Sequence, residues 1–214
     1  MPRLFSYLFL TCIILVSCEG SGIADITNGK EYQLYDYYID KNGEEGIIVS
    51  SYKKKILVMS LDESECIWSK TGFTVANNDT IIKNYDERAL FLNQRATYLG
   101  LENFPAFKWC IDKNRSKKYP DINSWILPSL DHQSRHITSS IRYNYELINE
   151  HIINYGGTPL DSEACYWLAD EPSLIYTSSE VSDLEHSLAF TMSKDWIVSK
   201  ERKCKVRAFK YILY

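Results

Sequence analysis

Residues 141–167, IRYNYELINEHIINYGGTPLDSEACYW, carry both halves of the fold in one stretch. Ile141, Tyr145, Ile148, Ile152 and Tyr155 recur at helical spacing and share one face. Gly156-Gly157 then stops the helix, because glycine takes the left-handed conformation of a helix end without steric cost. The pattern changes to strand at Cys165 to Ala169. A helix that hands over to a strand candidate, with more of each on either side, predicts an α+β chain.

Upstream, Tyr85, Ala89, Leu92, Ala96 and Leu99 predict another one-faced helix, with Asn78 or Asp79 as its cap and Gly100 at its end. Ser129 reads as the N-cap of a further helix running to about Ser140, with Asp131 in its first turn. Earlier still, Tyr32 to Asp40 is aromatic and partly alternating, and Asn42-Gly43 marks a turn. Gly46 to Ser50 and Ile56 to Ser60 predict a hairpin whose exposed tip is Ser51 to Lys55. Downstream, Leu188 to Met192, Trp196 to Ser199 and Cys204 to Leu213 are strand candidates. The chain is therefore expected to combine two to three helices with a small antiparallel sheet.

The first residues read as an address. Arg3 supplies a positive charge, and Leu4 to Val16 is an apolar run of thirteen residues. A membrane-spanning helix needs about 20, so the run fits a secretory signal instead. It ends in Leu15-Val16-Ser17-Cys18, the pattern cut just before a cysteine that carries lipid on its sulfur. Residues 1–17 are thus expected to be a lipoprotein signal peptide and Cys18 the lipidated first residue of the mature chain. Residues 18–30, small, polar and glycine-containing, read as a tether. Residues 31–214 are left as one domain, with a bacterial outer membrane or cell envelope as the expected location.

The chain is 45% hydrophobic and 14% aromatic, as a folded domain is. Its formal net charge of -4 gives no reason to expect nucleic acid. The charges are uneven: no Lys or Arg lies between Arg142 and Lys194, whereas Lys200 to Lys210 is basic. Beyond Cys12 and Cys18, four cysteines remain, Cys66, Cys110, Cys165 and Cys204. Four cysteines allow three pairings, and no CxxC is present to suggest zinc or thioredoxin chemistry.

Motifs for catalysis are weak. His132 and His136 sit at i, i+4, but the glutamate of HExxH is missing and Arg135 disfavours a cation. Ser50-x-x-Lys53 and Lys70-Thr71-Gly72 match penicillin-recognition motifs only by chance, since they lie too close together. No phosphate-binding, dinucleotide or nucleophile-elbow pattern occurs. No enzymatic activity and no cofactor are expected. Asp170, Glu171, Glu180, Asp183 and Glu185 could supply hard oxygen ligands to calcium, although their spacing is irregular and a solvated acidic loop is the plainer reading.

Three groups of motifs resemble a known family. They are YYIDKNGEEGIIV and KILVMSLDESECIWS within Tyr37 to Ser69; Trp109-Cys110 with SWILPSLD at Ser124 to Asp131; and GGTPL at Gly156, CYW at Cys165 and KVRAFKYI at Lys205. In this order the chain resembles the Lcl C-terminal-domain family, abundant in lipoproteins of Bacteroidota. The resemblance implies a C-type-lectin-like fold whose loop-rich half binds. It also implies neighbouring strands at Tyr166-Trp167 and Val206-Arg207, which would let Cys165 face Cys204 and leave Cys66 to pair with Cys110. Glu171-Pro172-Ser173 is similar to the Glu-Pro-Asn calcium triplet of C-type lectins, but Ser173 offers no carbonyl. The sequence also departs at Leu168-Ala169-Asp170, where the family has Ser-Ser and an acid, and at Ser193 to Lys203, where the family has a glycine-rich hairpin.

The expectation is a lipid-anchored binding module that recognises glycan or a surface protein through residues 170–187, with Asp170, Glu171, Tyr176, Glu180, Asp183 and Glu185 as candidate contacts. The alternative is a structural accessory subunit of an envelope or fimbria-like assembly that takes no small ligand and uses the basic last strand or a sheet edge.

Overall fold

The computed structural model describes residues 32–52, 55–76, 85–115, 119–130, 136–175 and 182–213. The signal segment, Cys18, the tether, Asn78, Asp79, His132, Tyr176 and Glu180 lie outside them.

The apolar runs at 47–49 and 56–59 build the centre. β1 (Tyr37–Ile39), β2 (Glu45–Tyr52) and β3 (Lys55–Ser60) form an antiparallel meander, and β9 (Phe209–Leu213) adds to the far side of β3. Alternate side chains of β2 and β3 enter two different cores. Ile48, Ile56 and Val58 join one apolar cluster, and Ile47, Leu57 and Met59 the other. A sheet covered on both faces wants continuous apolar runs, which is what these two strands contain.

The second sheet has the order β4 (Ser64–Cys66), β8 (Cys204–Val206), β5 (Tyr166–Trp167), β6 (His186–Phe190), β7 (Asp195–Ser199). Its pairs are antiparallel except β5 with β8, which run parallel. The expected single antiparallel sheet is therefore two sheets, one of them mixed. The expected strand from Cys204 to Leu213 is likewise two strands, one in each sheet. Arg207 makes the switch: it is buried, and its guanidinium donates to the carbonyls of Ser60 (3.0 Å) and Thr158 (2.5 Å) and to Glu63 (2.7 Å). Those bonds turn the chain from one sheet into the other.

α1 (Tyr85–Leu99) buries Ala89, Leu92 and Ala96 as the spacing predicts. α2 (Pro105–Asp112) buries Ala106, Phe107, Cys110 and Ile111, with proline in the first turn where a missing N–H costs nothing. The predicted helix through Ile141 to Tyr155 is two helices, α3 (His136–Tyr143) and α4 (Tyr145–Asn154), broken at Asn144. α4 ends as predicted. Gly156 sits at φ 75°, its N–H donates to Ile153 O, and Gly157 N–H donates to Ile152 O, the double bond pattern of a Schellman cap. The first turn that Ser129 is expected to cap, with Asp131 in it, lies outside the described residues; the Ser129 hydroxyl donates to Asp170.

Three tryptophans are fully buried and each indole N–H has an acceptor. Trp68 donates to Leu168 O (2.7 Å), Trp125 to Asp40 (3.0 Å) and Trp167 to Cys66 O (2.8 Å). The Trp68 and Trp167 bonds fasten β4 and the residues after it to β5 and Leu168, and the Trp125 bond fastens the segment beside β9 to the turn after β1, through groups that would be costly to leave unpaired.

Candidate functional site

The acids expected to face a ligand are where the structure departs most from the sequence reading. Asp170 follows β5 and is 0% exposed. Its carboxylate accepts from Ser129 Oγ (2.7 Å), from Leu130 N–H (2.5 Å) and from Arg88 (3.3 Å). Burial raises its pKa, and Arg88 and the hydrogen bonds only partly reverse that. Glu171 is also 0% exposed. It accepts from Thr74 Oγ1 (2.7 Å), Val75 N–H (3.1 Å) and Ala76 N–H (2.6 Å), and it pairs with Lys200.

Lys200 stands at the end of β7 and is 1% exposed. Its ammonium donates to Glu171, to Phe73 O (2.8 Å) and to Asp183 O, and lies 4.3 Å from the centre of the Trp68 ring. Burial lowers the Lys200 pKa against the pull of Glu171, and burial raises that of Glu171 against Lys200. A buried charge is tolerated only when paired and fully hydrogen-bonded, and this one has a carboxylate, two carbonyls and an aromatic face. Asp170 and Glu171 are thus corrected from ligand contacts to internal fasteners. Arg88, Ser129 and Lys200, which hold them, are residues that sequence reasoning missed; the basic run after Lys194 pointed to Lys200 but not to its burial.

Of the other candidates, Asp183 is half-buried and accepts from Ser173 N–H (2.9 Å) and its hydroxyl. Glu185 is exposed; its main chain accepts from Lys200 N–H (2.8 Å). Among the described residues no group of three or more His, Cys, Asp or Glu side chains is placed to hold a metal ion. The calcium contact set is therefore not assembled in the described part of the 170–187 region.

Cys165 and Cys204 form a disulfide with Cα atoms 5.1 Å apart, bridging neighbouring strands β5 and β8. The second pairing is corrected: Cys66 and Cys110 are free thiols. Cys66 lies opposite Cys204 across β4 and β8, and the Cys204 sulfur is already engaged with Cys165. Burial pushes the Cys66 thiol up to about 11 and the Cys110 thiol well above its ordinary value. Neither thiol is a ready nucleophile at neutral pH.

What the same region does offer is a strand edge. In the β6–β7 pair Thr191 N–H donates to Lys194 O and Lys200 N–H to Glu185 O, both 2.8 Å. With the observed register, Trp196 and Val198 exchange bonds with Ala189 and Ser187. The main-chain groups of Asp195, Ile197 and Ser199 consequently point away from the sheet. Apart from Ser199 O, which accepts from Arg202 N–H (3.0 Å), they have no main-chain partner among the described residues. Asp195 is held at one end by Arg142 on α3 (2.5 Å), and Ile197 is 38% exposed at the middle.

No helix among the described residues is long and apolar enough to cross a membrane. No protein-family model and no curated protein matches the sequence. Among solved structures, the crystal structure of a fimbrial protein from Bacteroides ovatus is similar, at 16% sequence identity and a TM-score of 0.48. The match covers 72% of this chain and 35% of that one, so this chain spans about a third of that protein's length.

Proposed function

We propose that this chain is a non-enzymatic, protein-binding subunit of a cell-envelope assembly, held to its membrane by lipid on Cys18, and that it takes no small ligand. One observation carries the reading. The acids that a lectin-like site would need at Asp170 and Glu171 are consumed inside the protein, while the outward main-chain groups of the adjoining β7 edge, Ser199 O apart, have no main-chain partner among the described residues. Unpaired edge groups are a natural surface for another chain. Kinship with the Lcl C-terminal-domain family and a C-type-lectin-like fold belong to the same proposal. They are supported by the positions of the shared motifs: Trp125 and Leu127 buried, Tyr166-Trp167 in a strand beside Lys205, and Arg207 at the crossing between sheets.

Co-purification from the native envelope, run beside a glycan array on the same protein, tests the reading. A stable protein partner with no glycan affinity is the expected result. Glycan binding that survives without a partner would sink it. Palmitate labelling that disappears in Cys18→Ser tests the anchor; undiminished labelling would remove it.

A further inference from the structure

Four strands end the two sheets, and their edges are not alike. β1 and β4 are three residues each. The residue of β4 that points its main chain outward is Glu65, whose exposed charge discourages pairing. On β9, Phe209 already exchanges both bonds with Ile126 (2.8 and 2.9 Å). β7 is five residues long, without proline, with an apolar side chain at its centre and outward main-chain groups at three alternating positions.

The rim of β7 carries cations that enter no ion pair among the described residues, beside exposed acids at Glu185 and Glu201. Asp195 is neutralised by Arg142. Glu201 accepts from the Thr71 hydroxyl and keeps its charge, one acid beside the two cations that follow it. Arg202 and Lys203, in the turn that follows, are exposed and enter no ion pair among the described residues. At the opposite end, Lys194 lies 4.7 Å from the centre of the Trp196 ring and enters no ion pair among the described residues, the neighbouring Asp195 being paired with Arg142. A chain of net charge -4 thus presents cations at both ends of its open edge.

We infer that the β7 edge is a docking surface for an extended segment of a partner polypeptide, apolar at its centre and acidic at both ends. The segment lies along Asp195 to Ser199 as a sixth strand of the β4–β7 sheet. It exchanges main-chain hydrogen bonds with Asp195 and Ile197 and receives one from Ser199 N–H. Five residues of strand span about 13 Å between the first and last Cα atoms. The partner's acids therefore sit about five residues apart, beside Lys194 and beside Arg202 and Lys203, with the apolar residue against Ile197. The main-chain bonds supply affinity and the end charges supply selection and orientation. The inference rests on the protein-binding reading above and names the surface and the chemistry of its partner.

The test uses the full chain, isotope-labelled and in detergent. The probes are synthetic seven-residue peptides in which a Val-Thr-Val-Thr-Val core is flanked at both termini by Glu, by Thr or by Lys. The Glu-ended peptide is expected to bind about tenfold tighter than the Lys-ended one, as two exposed ion pairs imply, and to lose that advantage in high salt. Amide exchange should slow at Asp195 and Ile197, while Trp196 and Val198, already bonded to β6, stay as they were. Ile197→Pro removes an outward N–H and no bond to β6, so it should abolish peptide binding without moving the melting temperature. Ile197→Lys, which keeps the amide, should weaken the Glu-ended peptide by a smaller factor. Arg202→Glu with Lys203→Glu should reverse the peptide preference. Equal affinity for the three peptides, or unchanged exchange at Asp195 and Ile197, overturns the inference. Envelope co-purification with Ile197→Pro separates the two levels: a partner retained by the variant removes the β7 edge alone, whereas no partner for either protein removes the protein-binding reading itself.

Discussion

Replacing Glu171 with alanine leaves the Lys200 ammonium buried beside Trp68 without its carboxylate, and strands the amides of Val75 and Ala76. Breaking a buried ion pair from one side costs about 3–5 kcal/mol. Each amide left without an acceptor adds about 1–3 kcal/mol unless water enters. A loss of about 5 kcal/mol is therefore expected, against about 5–15 kcal/mol for the stability of a whole domain. For a chain of this size each kcal/mol moves the melting temperature by about 2–4 °C, so the midpoint should fall by about 10–20 °C. Glu171→Gln keeps a carbonyl for the amides and loses only the charge, so its loss should be smaller, about 3 kcal/mol. Urea unfolding followed by near-ultraviolet circular dichroism reads both, with the slope unchanged if only native stability moves. A Glu171→Ala protein within about 1 kcal/mol of the parent would mean that the carboxylate is solvated, and the internal-fastener account of residues 170–200 would be wrong.

Asp40 offers a pH test. Burial raises its carboxyl, but hydrogen bonds from Lys210 and from the amides of Glu44 and Asn42 outweigh that and hold it below its ordinary value. A depressed acid stabilises above its unfolded pKa of about 3.9 and loses that contribution as pH falls through the folded value. Asp40→Asn should cost about 2 kcal/mol at pH 7, and the gap to the parent should close below about pH 4; a gap independent of pH would refute the account. Cys165→Ser with Cys204→Ser opens a loop with a sequence separation of 39, worth about 4 kcal/mol by chain entropy; unchanged urea stability would speak against a native bridge. Iodoacetamide under non-reducing denaturant should label Cys66 and Cys110 but not Cys165 or Cys204, and Cys110 should resist labelling in the folded protein. At Gly157 an added Cβ would lie 2.8 Å from Leu61 O and 2.9 Å from Ile152, so Gly157→Ala should lose about 1–3 kcal/mol in the same urea assay.

Local patterns reached the structure well. The face of α1, the hairpin of β2 and β3, and the stop at Gly156-Gly157 are set by residues within a few positions of one another. The limits appear where partners are distant in the chain. Asp170 meets Arg88 and Ser129, and Glu171 meets Thr74 and Lys200. Read along the chain, both acids look like an exposed acidic loop; only the fold brings a cation to each. The helix at 141–155 was legible as an apolar face, but that face is continuous across Asn144, so periodicity could not show the break. α2 was missed although Pro105 and the buried pairs 106–107 and 110–111 mark it, because a run of eight residues is too short for its period to stand out. The disulfide between Cys165 and Cys204 matches the strand neighbourhood that the family resemblance implies, while the pairing of Cys66 with Cys110 drawn from the same resemblance is replaced by two free thiols.

The order of the strands has a consequence for how the chain comes into being. β9 completes the first sheet beside β3, and β8 fills the place between β4 and β5 in the second. Both are drawn from residues 204–213. Until residues 204–213 leave the ribosome, β4 and β5 have no strand between them and β3 has an open side. Such distant pairings close late and slowly. A nascent chain should therefore stay largely unfolded until residues 204–213 have emerged, and a chain shortened before Cys204 would lose a strand from each sheet at once.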